Sequence, residues 1–546
     1  MNAERRNAKD GRSGLSPLGI IIGLIGCVII TASSVYTALK MGALPWPTIF
    51  TSVTALVCLR AFGHRSLNEA NVTQIIMSAG SMVAGGIAFT IPGIFIIHAD
   101  ETFDWPQLLM VALAGTLLGL VGTALIREQF IERSELEFPI GVAAAETLTA
   151  SEAGAKTGAK LFGSMAFAGV WSVLRDVFGI IPAMLLQFPI PGVAFGIYNS
   201  PMMLSIGFLV GGTAMAFWFG SAVLANFGII VGGTSLGLFD LETAQGIVQS
   251  LGMGLMMGSG VGVLIGDILP EIKGYLKGTD KGGTTFGGRF SKVDAGALAL
   301  MVAVAACLAC FGLGLSPVAT VVVVLMGFVT SIMSAQSVGQ TGIDPMEIFG
   351  LIVLLLVAML GERTQMRLFF VAGIIAVACG LGGDVMSDFK TGQIIGTNPR
   401  EMFYGQAIGA LLGTVVSVVT MAALVSAYGP SSFGPGQTFV AAQASVVATM
   451  ITGIPSVFSF AIGLLAGIVL YCLGLPSMMI GLGVYLPLYM SLSAPIGALA
   501  KVAYDRLRPK DSSDEDGVIV ASGLLGGESI VGVVVALMSV ATGLFG

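Results

Sequence analysis

Four apolar stretches, 17–39, 46–63, 69–97 and 107–126, open the chain with only short polar breaks between them. Each is long enough, at roughly 20 residues per span, to cross a bilayer as a helix. In hydrocarbon the backbone has to satisfy its own hydrogen bonds, so such runs fold as helices rather than as open sheet. Further candidates lie near 160–177, 201–220, 221–238 and 247–270. The second half adds segments near 293–314, 317–335, 345–361, 365–382, 404–427, 438–473 (broken at Pro455), 476–500 and 517–545. Of the 546 residues 55% are apolar and only 10% charged, whereas an average soluble domain is roughly 25% charged. The apolar residues suffice for about 15 spans. The chain therefore reads as an all-α polytopic membrane protein of about 14–16 transmembrane helices with broken or re-entrant segments. A soluble enzyme, a nucleic-acid binder, a secreted disulfide scaffold and a single-anchor receptor are excluded.

Loop charge sets the expected orientation. The N-tail carries Arg5, Arg6, Lys9 and Arg12, the second loop Arg60 and Arg65, and the fourth segment is followed by Arg127 and Arg133. The loop HADETFDW after the third segment has no Lys or Arg. Alternation puts the N-terminus in the cytoplasm of an inner or plasma membrane. No cleavable signal peptide is evident, because the first apolar run is long enough to span. The sequence divides into an N-tail (1–16), a first transmembrane repeat (17–270), a Gly- and Lys-rich cytoplasmic linker (271–292) and a second repeat (293–546). Two halves of common origin are read from three ordered matches. SPMMLSIGFLVG (200–211) resembles PSMMIGLGVYLP (476–487), GIVQSLGMGLMMG (246–258) resembles GVIVASGLLGGES (517–529), and the segment at 66–74 is set against GIDPMEIFG at 342–350. The relation between the halves, parallel or inverted, stays open.

Sites in such proteins lie where helices break and where ionisable groups enter the membrane. FPIGVAAAETLTASEAG (138–154), carrying Glu146, is too short and interrupted for an ordinary span and reads as a re-entrant hairpin. FGPGQTFVAAQASVVAT (433–449) has the same layout, with Gln443 and Ser445 but no acid. In GLGGDVMSDFKTGQIIGTNPREMFYGQ (380–406) an apolar helix is expected to end at two glycines. Asp384 and Asp388 follow one helical turn apart, with Lys390 near enough to neutralise one of them. This cluster is either a substrate- or proton-linked site or a capped surface loop. Glu528 lies inside the last span, as a proton site or bonded to a neighbouring helix. Lys40, Arg175-Asp176 and Asp267 read as end groups or salt bridges. Tyr36 and Lys40 on the first helix complete the candidates. Substrate contacts are assigned to Tyr36, Lys40, Glu146, Asp384, Asp388, Lys390 and Gln443, and proton coupling to Glu146, Asp384 and Glu528.

The spaced glycines, among them Gly115/Gly119, Gly254/Gly258, Gly409/Gly413 and Gly463/Gly467, read as sites of close helix approach. The six cysteines (Cys27, Cys58, Cys307, Cys310, Cys379, Cys472) and 27 methionines read as core residues. With only His64 and His98 as histidines, no metal site and no cofactor is expected.

Motifs spread over nearly the whole chain resemble the oligopeptide transporter (OPT) family, whose relatives include the Yellow Stripe-like metal-chelate transporters. They are VYTALKMGALPWPTIF (35–50), NEANVTQIIMSAGSMVAGGI (68–87), FPIGVAAAETL (138–148), GDVMSDFKTGQIIGTNPREMFYGQAIGALLG (383–413), GVYLPLYMSLSAPIGALA (483–500) and DGVIVASGLLGGESIVGV (516–533). The family commonly has Pro-Glu-Gly where this chain reads Pro139-Ile140-Gly141, so one acid is absent. The NPG-type motif of the eukaryotic peptide branch is not evident. The resemblance implies a proton-coupled importer of small peptides or peptide-like metal chelates, with about sixteen helices in two related halves. The expected partners are that solute and the lipid bilayer, with a homodimer as an option and no nucleic acid. A chelate carrier is the alternative within transport. A membrane enzyme lacks the nucleophile–base or metal constellation it would need, and a channel lacks a repeated selectivity filter.

Overall fold

The computed structural model describes residues 14–41, 47–98, 104–134, 136, 138–150, 154–263, 265, 295–341, 344–452, 455–507 and 515–545, with some side chains inside these ranges left out. The 271–292 linker and Asp267 lie outside the described residues. In chain order the principal helices are α1 (Pro17–Met41), α2 (Pro47–Ala61), α3 (Leu67–Ala88), α4 (Trp105–Arg127), α5 (Pro139–Ala150) and α6 (Gly154–Ser172). A hairpin of β1 (Met184–Ile190) and β2 (Val193–Tyr198) precedes α7 (Pro201–Val210), α8 (Gly212–Val223) and α9 (Leu241–Val263). Next come α10 (Ala295–Cys307), α11 (Pro317–Thr341), α12 (Met346–Met359), α13 (Gln365–Cys379), α14 (Val385–Ile395) and α15 (Pro399–Tyr428). The last are α16 (Ala442–Thr452), α17 (Val457–Cys472), α18 (Ser477–Tyr485), α19 (Leu488–Leu507) and α20 (Glu515–Phe545). Seven described helices are long and apolar enough to cross a membrane, and six shorter apolar helices accompany them. The protein is an α-helical multi-pass membrane protein, and the hairpin is the one exception to its helical build among the described residues.

The helices gather into two compact units, and each unit draws on both halves of the sequence. The first contains 1–158, 271–451 and 536–546, and the second 159–270 and 452–535. Within each unit the halves meet by exchanged contacts. In the first unit a side chain at Gly115 of α4 would strike the Ile374 carbonyl of α13, and one at Gly409 of α15 would strike the Ile76 carbonyl of α3. In the second, Gly207 of α7 lies against the Ala494 carbonyl of α19, while Gly483 of α18 lies against the Trp218 carbonyl of α8. The same holds for Gly254 and Gly258 of α9 on the Phe460 and Leu464 carbonyls of α17, mirrored by Gly523 and Gly527 of α20 on those of Leu161 and Met165 of α6. Each pair and its mate swap halves, as a pseudo-two-fold relation requires.

These mates set the register of the repeat. In the first unit the offset is about 300 residues, which puts Pro317 opposite Pro17 and leaves α10 without a mate among the described residues. It also sets 342–350 opposite 42–50, which corrects the match of that stretch to 66–74. In the second unit the α7 and α18 mates stand about 276 apart, because the hairpin between α6 and α7 has no counterpart between α17 and α18.

The close approaches depend on the absence of a Cβ. At Gly258 the neighbours are the Leu464 carbonyl and the Cα of Gly467, neither of which can rotate away. Gly258→Val is expected to force α9 and α17 apart at a cost of about 1–3 kcal/mol. A lowered thermal midpoint of the purified protein checks this, with Gly163→Val, where nothing lies within 4 Å, as the neutral control.

Candidate functional site

The α13 helix does not end at the double glycine. It passes through a π-helical segment, Gly380–Asp384, and continues as α14, so that 365–395 forms one membrane-length element. Widening the helix frees carbonyls, and at membrane depth these need partners from neighbouring helices. Ser331 Oγ donates to Ala378 O (3.3 Å) and Ser334 Oγ to Cys379 O (3.1 Å), both from α11. Thr123 Oγ1 of α4 (2.7 Å) and Gln406 Nε2 of α15 (3.1 Å) both donate to Leu381 O. The expected helix end is thus a deeply packed break, and the capped-surface-loop reading of the acidic cluster does not hold.

Asp388, on α14, has no exposed surface. Gln74 Nε2 donates to its Oδ1 (2.7 Å) and Ser78 Oγ to its Oδ2 (2.6 Å), both from α3. Thr48 of α2 bonds to the same carboxyl. Three neutral donors therefore meet this carboxyl where sequence suggested Lys390. The reason is helical geometry: two residues on, Lys390 points roughly 200° around the helix from Asp388. Its stem packs beside Gly141 of α5, and it makes no ion pair among the described residues.

Three further acids surround the break. Asp384 interacts electrostatically with Asp388, Asp344 and Glu347. Glu347, in the first turn of α12, is 2% exposed. Asp344 lies just before α12 beside Ser334, with its carboxyl oxygens buried. No Lys or Arg pairs with any of the four among the described residues. Asp344 and Glu347 did not emerge from sequence as site residues. The signal was present in GIDPMEIFG, where two acids open an apolar span with no basic residue near. In the repeat register the positions of Asp344, Glu347, Asp384 and Asp388 fall on Leu44, Pro47, Gly86 and Thr90, so the acids belong to one half only.

The remaining candidates fall into other groups. Tyr36 and Lys40 stand near the end of α1, with the Lys40 ammonium 5.9 Å from the Tyr36 ring centroid and 5.3 Å from that of Phe439. Phe439 also meets Tyr36 edge-on (5.7 Å), Tyr428 edge-on (5.1 Å) and Phe433 in a stack (5.1 Å). Gln443 is buried on α16, the helix that follows Phe439. Glu146 belongs to α5, but its side chain lies outside the described residues.

Glu528 sits in the second unit and is 2% exposed. Arg175 Nη2 donates to its Oε1 (2.8 Å), Ser200 Oγ bonds to its carboxyl, and the Met202 amide at the start of α7 donates to its Oε2 (2.8 Å). Arg175 also holds Asp176 through two bonds of 2.7 Å and donates to Asn199 O (2.6 Å). Of the two roles open to Glu528 in sequence, the geometry is that of an acid bonded to its neighbours, joining α20 to α7 and to the π-helical turn Val173–Val177 that follows α6. Among the described residues no group of three His, Cys, Asp or Glu side chains is placed to hold a metal ion.

Comparison with known proteins shows the family of the chain. A Haemophilus influenzae protein named "Putative oligopeptide transporter" is 24% identical over 93% of this chain and 93% of its own length. The metal-nicotianamine transporter YSL2 of Oryza sativa subsp. japonica is 32% identical over 20% of this chain and 16% of its own. The metal-nicotianamine transporter YSL3 of Arabidopsis thaliana is 37% identical over 16% and 13%. Two stretches, 15–261 and 294–539, match the family described as OPT oligopeptide transporter protein, and they hold all the exchanged helix pairs and all four acids around the break. With nearly the whole described fold inside that match, the chain belongs to the OPT oligopeptide transporter family.

Proposed function

We propose that this transporter imports a small peptide-like solute, driven by protons moving down their gradient into the cell. The observation that carries the reading is the group Asp344, Glu347, Asp384 and Asp388 around a helix break, with no basic partner among the described residues. Carboxyls gathered without a counter-ion repel one another when all are ionised, and a proton taken up by one relieves that repulsion. Asp388 already accepts three hydrogen bonds, so Asp384 is the member we assign to the exchanging proton. Glu146, on α5, is kept as a second coupling acid, and Glu528 is given a structural role beside Arg175. Tyr36, Lys40 and Gln443 are assigned to the solute, whose anionic end suits the Lys40 ammonium and whose apolar parts suit the surrounding rings. No cofactor is assigned. The protein is placed in the inner or plasma membrane with its N-terminus in the cytoplasm.

A metal–chelate solute is the second reading, favoured by the relatives named as metal-nicotianamine transporters. In that case the chelator brings the metal, and the same groups meet the chelator's carboxylates. Uptake into proteoliposomes under an inward proton gradient decides between them, using di- to hexapeptides, glutathione and an iron–chelate with an ionophore control. Saturable uptake of one class, lost when the gradient collapses, supports the proposal and names the class. Flux indifferent to the gradient sinks proton coupling. Asp384→Asn is expected to retain solute exchange while losing accumulation driven by pH. Undiminished accumulation in that variant would remove Asp384 from the coupling role.

A further inference from the structure

Among the described residues only two non-glycine residues have positive φ, Phe138 (49°) and Ala441 (44°). Each stands immediately before one of the two short helices α5 and α16. Each also donates its backbone N–H to the last turns of a span from the other half: Phe138 to Gly339 O of α11 (2.9 Å), and Ala441 to Leu39 O of α1 (2.9 Å). Leu39 and Gly339 are mates in the repeat register. A second pair of mates lies one turn further along. Thr391 Oγ1 donates to Gly141 O of α5 (2.9 Å), and Gly93 lies against Ala444 O of α16. Each short helix is therefore docked at two equivalent points on the opposite half.

Left-handed backbone is costly for a non-glycine residue and persists only where the surroundings impose it. Finding this cost twice, at mated positions ahead of the two re-entrant helices, singles out those joints. Neither residue can relieve the strain while its N–H stays on the partner carbonyl and the helix after it stays held at its second docking point. Undocking breaks that bond and frees φ to return to an ordinary value, so part of the cost of undocking is stored in the docked state.

We propose that Phe138 and Ala441 are positioning residues for transport, holding α5 and α16 in docked places that are strained so that each helix can be released. Through α5 and α16 they set the places of Gly141 against α14 and of Gln443. The inference rests on the chain being a transporter but not on the solute or the coupling ion.

Ala441→Gly is the variant to make, because glycine accepts positive φ at no steric cost and keeps the N–H. It leaves the docked state unstrained, so the docked population should rise by about fivefold or more. In nanodiscs, amide hydrogen exchange in peptides covering 442–452 is expected to slow by about that factor, while 139–150, held by the other joint, should not slow. Ala444→Gly supplies the control: it loosens α16 by the same chemical change at ordinary φ and should speed exchange there. A structural residue without a release role would leave the rate of transport at saturation unchanged in Ala441→Gly, whereas the proposal requires that rate to fall with little change in KM. Unchanged or faster exchange in Ala441→Gly overturns the proposal, as does slowed exchange with undiminished transport. The exchange measurement needs no substrate, so a wrong choice of solute shows as absent transport in the unaltered protein and is distinguishable.

Discussion

Glu528→Ala is expected to lower stability by about 3 kcal/mol. Removing one member of a buried ion pair generally costs about 3–5 kcal/mol, since the other charge is left without its partner. The lower end applies because Arg175 keeps Asp176 and the Asn199 carbonyl. The loss also strips Ser200 and the Met202 amide of their acceptor at the start of α7. The thermal midpoint of the purified protein measures the effect, and Glu528→Gln should fall between the two, since the amide oxygen still accepts. If Glu528→Ala unfolds at the wild-type temperature, or if Glu528→Gln stays folded but loses only pH-driven accumulation, the acid belongs to proton coupling and the structural assignment fails.

The second large effect is expected at Asp388. Asp388→Asn turns one acceptor oxygen into a donor facing Gln74 or Ser78, each of which already donates to it. A hydroxyl can rotate, so the folding cost is held to about 1–3 kcal/mol. Transport should suffer far more, with uptake falling to background, because the fixed charge next to Asp384 is gone. Insertion, purification and uptake of the variant, measured together, separate the two effects. Uptake near the wild-type rate would show Asp388 to be packing alone. Lys390→Ala is the informative companion: with no ion pair to an acid, its loss should leave the bonds to Asp388 intact, so that any fall in uptake reports a direct role.

Much of this was legible in the chain itself. Apolar runs of span length determine that 17–39, 365–382 and 404–427 are helices, since an unbroken apolar run satisfies its own backbone in hydrocarbon by coiling. The spaced glycines at 254/258 and 463/467 announce close helix contact, and the two short segments holding Glu146 and Gln443 share a recognisable layout. Asp384 and Asp388 stand out because two acids one helical turn apart follow directly on an apolar run, where ionisable groups entering the membrane mark a site.

Tertiary structure decided everything that depends on which helix faces which. Sequence could set Lys390 near Asp388 but could not supply Gln74 and Ser78, which lie more than 300 residues away. Nor could it show that the double glycine widens a helix instead of ending one, because the hydroxyls and the amide that satisfy the freed carbonyls come from α4, α11 and α15. Glu528 read the same in sequence whether it bound a proton or Arg175. Local pattern fixes helices because their hydrogen bonds are local; the exchange of contacts between halves, and the strained joints at Phe138 and Ala441, exist only once distant segments have packed.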